Sequence, residues 1–264
     1  GYPSRRSARR IFFQRARLLF DFDCEMDHIS LIQSLLLMTY WDDTKESEEN
    51  TADWMGVTVS LARSIGLHLS PENYDMSLPR QRIRKIVWWS LYTRDRLVAL
   101  TMRRPMHVNI DDCTVPLLTL DDFALRPFAP ESVGIFGDTG LLQNFHEQRQ
   151  LILIFIEKVK LCFNLGHMLS TQYTAFAHNY DCNIGTNVML VPIYSNQQAY
   201  ETHLCDQEFE SWLANIPTEV RYMPSNKVEL EKGEEVLHSA RALLRTLYLA
   251  ALIALHHPQC LLSM

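Results

Sequence analysis

The sequence predicts an all-α protein, a multi-helix bundle of antiparallel helical hairpins with a long irregular crossover around residues 105–139. Three observations lead there. Apolar residues recur at three- and four-residue spacing along most of the 264 positions. Strand-like alternation is nearly absent, and no internal repeat is clear. The connections up to Met102 are short, which favours antiparallel neighbours.

In chain order, Ile11, Phe12, Leu18 and Leu19 mark a helix over residues 9–20. Leu31, Ile32, Leu35, Leu36 and Met38 mark a second one, from His28 to Trp41. A third opens at Asn50 or Thr51, both good N-caps. It carries the stripe Trp54, Thr58, Leu61, Ala62 and Ile65, and Gly66 ends it as a C′ glycine with Leu67 folding back. Residues Ser70 to Pro79 form a turn. The strongest helix follows, from Arg80 to Met102. It is apolar on nearly every face, which places it centrally in a core. Arg94, Asp95 and Arg96 interrupt it, and charges in such surroundings need partners.

Pro105, Pro116, Pro127 and Pro130, then Gly134 and Gly137, make the next stretch irregular. Structureless stretches of this length within a domain are uncommon and often functional. One long or kinked helix is expected from Gly140 to Phe176, followed by a break over Asn179–Pro192. A helix from Ser195 to Ile216 is stopped by Pro217, and one from Lys227 to His257 by Pro258.

Composition narrows the function classes. With 47% hydrophobic and 21% charged residues the chain can bury a core, read here as one helical domain over residues 1–264. It begins at Gly1 and stops in an apolar stretch, so it is expected to be a fragment, incomplete at its C-terminus. The net charge of −6 lacks the cationic footprint of a nucleic-acid binder. The charge is uneven: Arg5, Arg6, Arg9, Arg10, Arg15 and Arg17 open the chain, and an acidic run spans residues 42–53. No run of about 18 uncharged apolar residues occurs, so no membrane span is expected; Ala242–Leu255 is too short and contains Arg245. Cys24, Cys113, Cys162, Cys182, Cys205 and Cys260 are scattered without a C-x-x-C pair. They suggest neither a disulfide scaffold nor a metal site in this chain, and they suit a reducing compartment.

Motifs of catalysis fall short. Asp42-Asp43-Thr44-Lys45-Glu46 could hold magnesium against a diphosphate, as in helical isoprenoid synthases, but a second acidic set is not found. His146-Glu147-Gln148-Arg149-Gln150 begins like a zinc-protease helix and has Gln150 where the second histidine ligand belongs. Gly134, Gly137 and Gly140 follow no strand, so they do not form a phosphate cradle. No catalytic residue and no cofactor-binding residue is assigned.

One block is distinctive. Arg84-Lys85-Ile86-Val87-Trp88-Trp89-Ser90-Leu91-Tyr92-Thr93-Arg94-Asp95-Arg96 is followed by Arg104-Pro105, then Asp111-Asp112-Cys113-Thr114-Val115-Pro116 and Leu120-Asp121-Asp122-Phe123. This order resembles the fungal-specific transcription factor domain, the middle homology region of regulators whose N-terminus carries a binuclear zinc cluster. Phe13–Leu19, Leu61–His68, Trp212–Pro217 and Leu255–Pro258 are similar to further family segments, so the resemblance runs from about residue 9 to 262. The cutinase and fatty-acid-utilisation regulators are the most similar subgroup. Two departures stand out: Arg103 replaces the glycine of the family's G-R-P, and His257 replaces an arginine.

The resemblance implies a nuclear regulatory domain and not an enzyme. Zinc and DNA contacts are expected in the parent protein's N-terminal region, outside this chain. A homodimer, transcriptional co-regulators and a hydrophobic small effector are the candidate partners. Trp88, Trp89, Arg94, Asp95, Arg104, Pro105, Asp111 and Asp112 are the candidate switch or structural residues. Asp95 is expected to pair with Arg104 or with a neighbour of Arg94, either as the pivot of a two-state switch or as a pair that holds the fold. The magnesium-dependent enzyme and a non-catalytic helical scaffold remain alternatives.

Overall fold

The computed structural model describes residues 2–41, 51–125, 144–178, 187–193, 198–224 and 234–262. The acidic segment 42–50 and the glycines at 134, 137 and 140 lie outside these residues. The described chain is all-α in class, with seven α-helices, three single-turn 3₁₀ segments and one two-stranded sheet. It divides into two compact units, Gly1–Leu117 with Ala177–Met189, and Leu118–Phe176 with Leu190–Met264.

The first unit holds α1 (Arg5–Asp21), α2 (His28–Met38), α3 (Thr51–Ser64) and α4 (Leu78–Met102). Side chains set the helix starts. Ser4 accepts from the Ser7 amide and Asp27 from the Ser30 amide, each satisfying one of the orphan donors of a first turn. Hydrogen bonds from Ser30 hold the Asp27 carboxyl below the usual carboxylate range. Phe13, Ala16 and Phe20 of α1 pack on Leu35, Met38 and Trp54. Gly66 ends α3 in the left-handed conformation at φ 65°. The Leu67 amide reaches the Ala62 carbonyl at 2.9 Å and the Gly66 amide reaches Arg63 at 3.0 Å, the two bonds of a Schellman motif.

Helix α4 buries Trp88, Trp89, Leu91, Tyr92, Val98 and Ala99. Its cations are placed to finish its neighbours. Arg84 Nη2 donates to the Ile65 and Gly66 carbonyls at 2.9 and 3.1 Å, at the end of α3. Arg94 Nε donates to Thr39 Oγ1 at 2.9 Å and its Nη2 to the Thr39 carbonyl, at the end of α2. Helix C-termini leave carbonyls without partners and carry partial negative charge, so both contacts satisfy two demands together.

The second unit holds α5 (Phe145–Gln172), α6 (Gln198–Asn215) and α7 (Glu234–Leu262), each packed against the other two. Asn144 caps α5 by accepting from the His146 and Glu147 amides. Leu161, Leu165, Met168, Phe209, Ala251 and Leu255 are buried here. Trp212 stacks on Tyr248 with ring centres 5.6 Å apart and donates to the Glu157 carbonyl at 3.2 Å.

The first helix starts four residues earlier than expected and the second ends at Met38, short of Trp41; two other boundaries differ in kind. The helix expected to reach Phe176 ends at Gln172, and Tyr173–His178 (β1) pairs instead with Asn187–Pro192 (β2). Pro258 does not stop the last helix, which runs through it to Leu262. A proline deprives the carbonyl four residues earlier of its donor. That carbonyl belongs to Ala254, and Tyr173 Oη donates to it at 2.6 Å. By length and composition Glu234–Pro258 is also apolar and long enough to cross a membrane. One side of it, with Leu237, Leu244, Leu247, Tyr248, Ala251 and Leu255, is buried within the second unit.

Candidate functional site

The distinctive sequence block, as far as Pro116, folds into one structure in the first unit, in which α4 is laced to the irregular segment 105–117. At its centre Asp95 and Arg96 are almost fully buried and joined at 2.6 Å. Asp95 Oδ1 accepts from the His107 amide at 3.0 Å and faces His107 Nδ1 at 3.1 Å. Asp95 Oδ2 accepts from the Val108 amide at 3.1 Å as well as from Arg96. Arg96 Nη2 donates on to the Val108 carbonyl at 2.9 Å, and its guanidinium lies 4.3 Å from the Tyr92 ring centre. Taking two charges out of water costs several kcal/mol, and the cost is offset only where their hydrogen-bonding positions are filled. Two consecutive residues of the crossover meet that condition for Asp95 and for the Nη atoms of Arg96, while Arg96 Nε is buried without a hydrogen-bond partner among the described residues.

The lacing continues along the segment. Trp88 Nε1 donates to Cys113 Sγ at 3.0 Å, and Trp89 Nε1 to the Pro116 carbonyl at 2.9 Å. Burial pushes the Cys113 thiol up. The Thr114 amide donates to the His68 carbonyl at 3.0 Å, and Thr114 Oγ1 accepts from the Ser70 amide at 2.9 Å. Asp112 pairs with Arg63 at the surface. Asp111 is exposed, and its amide donates to Asn109 Oδ1 at 3.2 Å. Room for His107 comes from Gly56, where an added Cβ would meet His107 Nε2 at 3.3 Å.

The structure therefore gathers Trp88, Trp89, Asp95 and Asp112 into one network and separates other candidates from it. Arg94 turns away to α2, with its guanidinium 3.9 Å from the Tyr40 ring centre, and burial lowers its pKa. Arg104 donates to the Val188 carbonyl at 3.1 Å rather than pairing with Asp95. Pro105 lies just after the helix exit, half-buried. The exit itself is formed by Arg103, at φ 52° and ψ 40° in the left-handed region. It is the position where the family pattern has glycine. Asp95 pairs with Arg96, a neighbour of Arg94, as one of the two expectations had it; the participants that sequence reasoning missed are His107 and Val108. Their contacts run largely through backbone donors, which carry no residue signature.

The Asp95 carboxylate is satisfied largely from within the protein. A carboxylate offers about four lone-pair positions, and Asp95 faces four nitrogens: Arg96 Nη1, the His107 and Val108 amides, and His107 Nδ1. Most of its acceptor capacity is thus taken up by the protein itself. His146, from the incomplete protease-like motif, contacts Gln150 Nε2 at 2.8 Å on the first turn of α5.

In the first unit a helical core thus fixes an irregular segment through a buried ion-pair network. Comparison with known proteins gives the family: residues 2–214 match the fungal specific transcription factor domain, and the chain belongs to that family. Among its relatives, Cutinase transcription factor 1 beta of Fusarium vanettenii is 37% identical over the whole of this chain and 30% of its own length. Transcription factor cpaR of Aspergillus oryzae is 30% identical over 98% of this chain and 42% of its own length. The Acetamidase regulatory protein of Aspergillus fumigatus is 32% identical over 45% of this chain and 16% of its own length. The chain thus spans about a third of the length of the first two relatives. No solved structure matches it.

Proposed function

We propose that this chain is the regulatory middle domain of a fungal zinc-cluster transcription factor, acting in the nucleus and controlling transcription without turning over a substrate. The observation that carries the reading is the Asp95–Arg96 network. The most family-specific block of the sequence spends its buried carboxylate on an arginine and two crossover amides, which supports a role in positioning that segment. DNA contact and the zinc cluster belong to the parent protein outside this chain, consistent with its net charge of −6. Homodimer formation and co-regulators are its protein-level partners in this reading.

The second unit supplies a place for a hydrophobic effector. A groove of about 760 Å³ is lined by Trp212, Ile216, Val220, Tyr222, Leu244 and Leu249, within the size range of small-molecule sites. Arg221, Arg241 and Arg245 also line it, against the single acid Glu210. This balance suits an apolar molecule with an anionic end.

The test is deletion of this domain from the parent regulator, with promoter occupancy and reporter transcription measured together. The reading expects occupancy to persist while transcription loses its dependence on inducer. Unchanged, still inducible transcription would leave a scaffold. Magnesium-dependent consumption of an isoprenoid diphosphate by the purified chain would restore the enzyme alternative.

A further inference from the structure

We propose that His167, Cys205 and Glu208 form a zinc-type divalent metal site that clamps α5 to α6. His167 lies on α5, and Cys205 and Glu208 are three residues apart on α6, a spacing that puts both on one face. One ligand atom from each of the three lies within 4.8 Å of the others. His167 Nδ1 and Glu208 Oε2 are 2.8 Å apart, each side chain about one-third exposed, while Cys205 is fully buried beneath them. An ion pair accounts for the histidine and the glutamate alone. It does not account for a thiol brought to the same point, whose other close polar neighbour is Thr171 Oγ1 at 3.7 Å.

The donor set has zinc chemistry. Imidazole nitrogen, thiolate sulfur and carboxylate oxygen bind zinc at about 2.0–2.3 Å, and tetrahedral bonds of that length place donors about 3.4 Å apart. On binding, the present separations of 2.8 Å to at most 4.8 Å would have to adjust to that spacing. A neutral imidazole, one thiolate and one carboxylate balance a divalent cation. The fourth position, on the exposed His167 and Glu208 side, takes a water. Binding replaces the thiol proton with the metal, and the proton leaves to solvent. Burial, with help from Glu208, Glu201 and Asp206, pushes the Cys205 thiol up to about 11. The sequence assigned no metal to this chain because the ligands sit on two helices, 38 positions apart at their nearest, with no C-x-x-C spacing.

Titration of the purified 264-residue chain with cobalt(II) decides the matter. One equivalent is expected to produce a thiolate-to-cobalt charge-transfer band in the near ultraviolet, and zinc to abolish it. Cys205→Ser should remove the band, while Cys24→Ser, at an exposed position, leaves it unchanged. Glu208→Gln should weaken zinc binding in a chelator competition by at least about 10-fold, because even outer-shell substitutions cost about 10–100-fold. Helicity by circular dichroism identifies any variant that fails to fold, and His167→Asn then stands in for it. A wild-type chain that folds and takes cobalt without the band overturns the site. A band that survives Cys205→Ser, or zinc affinity unmoved by Glu208→Gln, overturns it as well and leaves an ordinary ion pair over a buried thiol.

Discussion

The two units stabilise themselves by different means. In the first, an irregular segment is held to α4 by buried charges and directed hydrogen bonds. In the second, three helices meet through apolar side chains and a Trp212–Tyr248 stack. Directed polar networks depend on every member, since removing one strands the others in a dry interior. Apolar packing loses stability in proportion to the volume removed. The first unit is therefore expected to fail abruptly on single polar changes and the second to weaken by degrees. That difference also explains why the recognisable motif lies in α4 and segment 105–123. A network of specific donors and acceptors tolerates few residue types, whereas a helical core accepts many.

The largest effect is expected for Asp95→Ala. It leaves Arg96 buried without its partner, and breaking such a pair costs about 3–5 kcal/mol. Four of the five tryptophans, Trp41, Trp54, Trp88 and Trp89, lie in the first unit, and Trp212 lies in the second. Urea unfolding followed by fluorescence, with and without Trp212→Phe, should show the loss in the first unit alone. A midpoint that does not move would remove the contrast between the units. Leu165→Ala, at a fully buried site on α5, should cost about 2–5 kcal/mol through the cavity it leaves. Its transition should stay cooperative when Trp212 is the probe.

Tyr173→Phe sharpens the account of Pro258. The Ala254 carbonyl would lose the donor that replaces the missing proline amide, a loss of about 0.5–1.5 kcal/mol for this half-buried bond. In Pro258→Ala the helix supplies its own donor, so the same tyrosine change should cost less, which a double-mutant cycle measures. Arg103→Gly should add about 1 kcal/mol to the first unit, because a left-handed residue with a side chain is strained by about 1–2 kcal/mol. A fall in melting temperature would mean that the Arg103 side chain has a role that outweighs the strain.

The smallest effect is on pH dependence. Burial first, and then the nearby Arg63, lower the His68 pKa against the opposing pull of Asp112. His68 Nδ1 is buried without a hydrogen-bond partner among the described residues. The unfolded chain binds this proton more readily than the folded one, so stability is present above the ordinary value of 6.5 and declines as the pH falls below it. Melting temperatures from pH 8 to 5.5 should therefore fall more for the wild type than for His68→Gln.

The helices were legible because each has its own periodicity, and Gly66 was legible because its left-handed turn has a residue signature. The all-α class followed from these. The β1–β2 pair was not legible: Tyr173–His178 follows a strongly helical run without a break residue, and pairing depends on a strand that begins at Asn187. The passage of α7 through Pro258 was hidden for a similar reason, since the compensating hydroxyl comes from Tyr173. In the site, the sequence exposed Asp95 as a charge in need of a partner and named arginines as the candidates. It could not expose the His107 and Val108 amides, which supply two of the contacts to Asp95.

The claim that the crossover is fixed to α4 by Asp95 is tested most directly by native-state hydrogen exchange at the His107 and Val108 amides. The account predicts protection comparable to that of buried α4 amides such as those of Leu91 and Tyr92, and loss of that protection in Asp95→Ala. Exchange at the rate of an open loop in the wild type would contradict it.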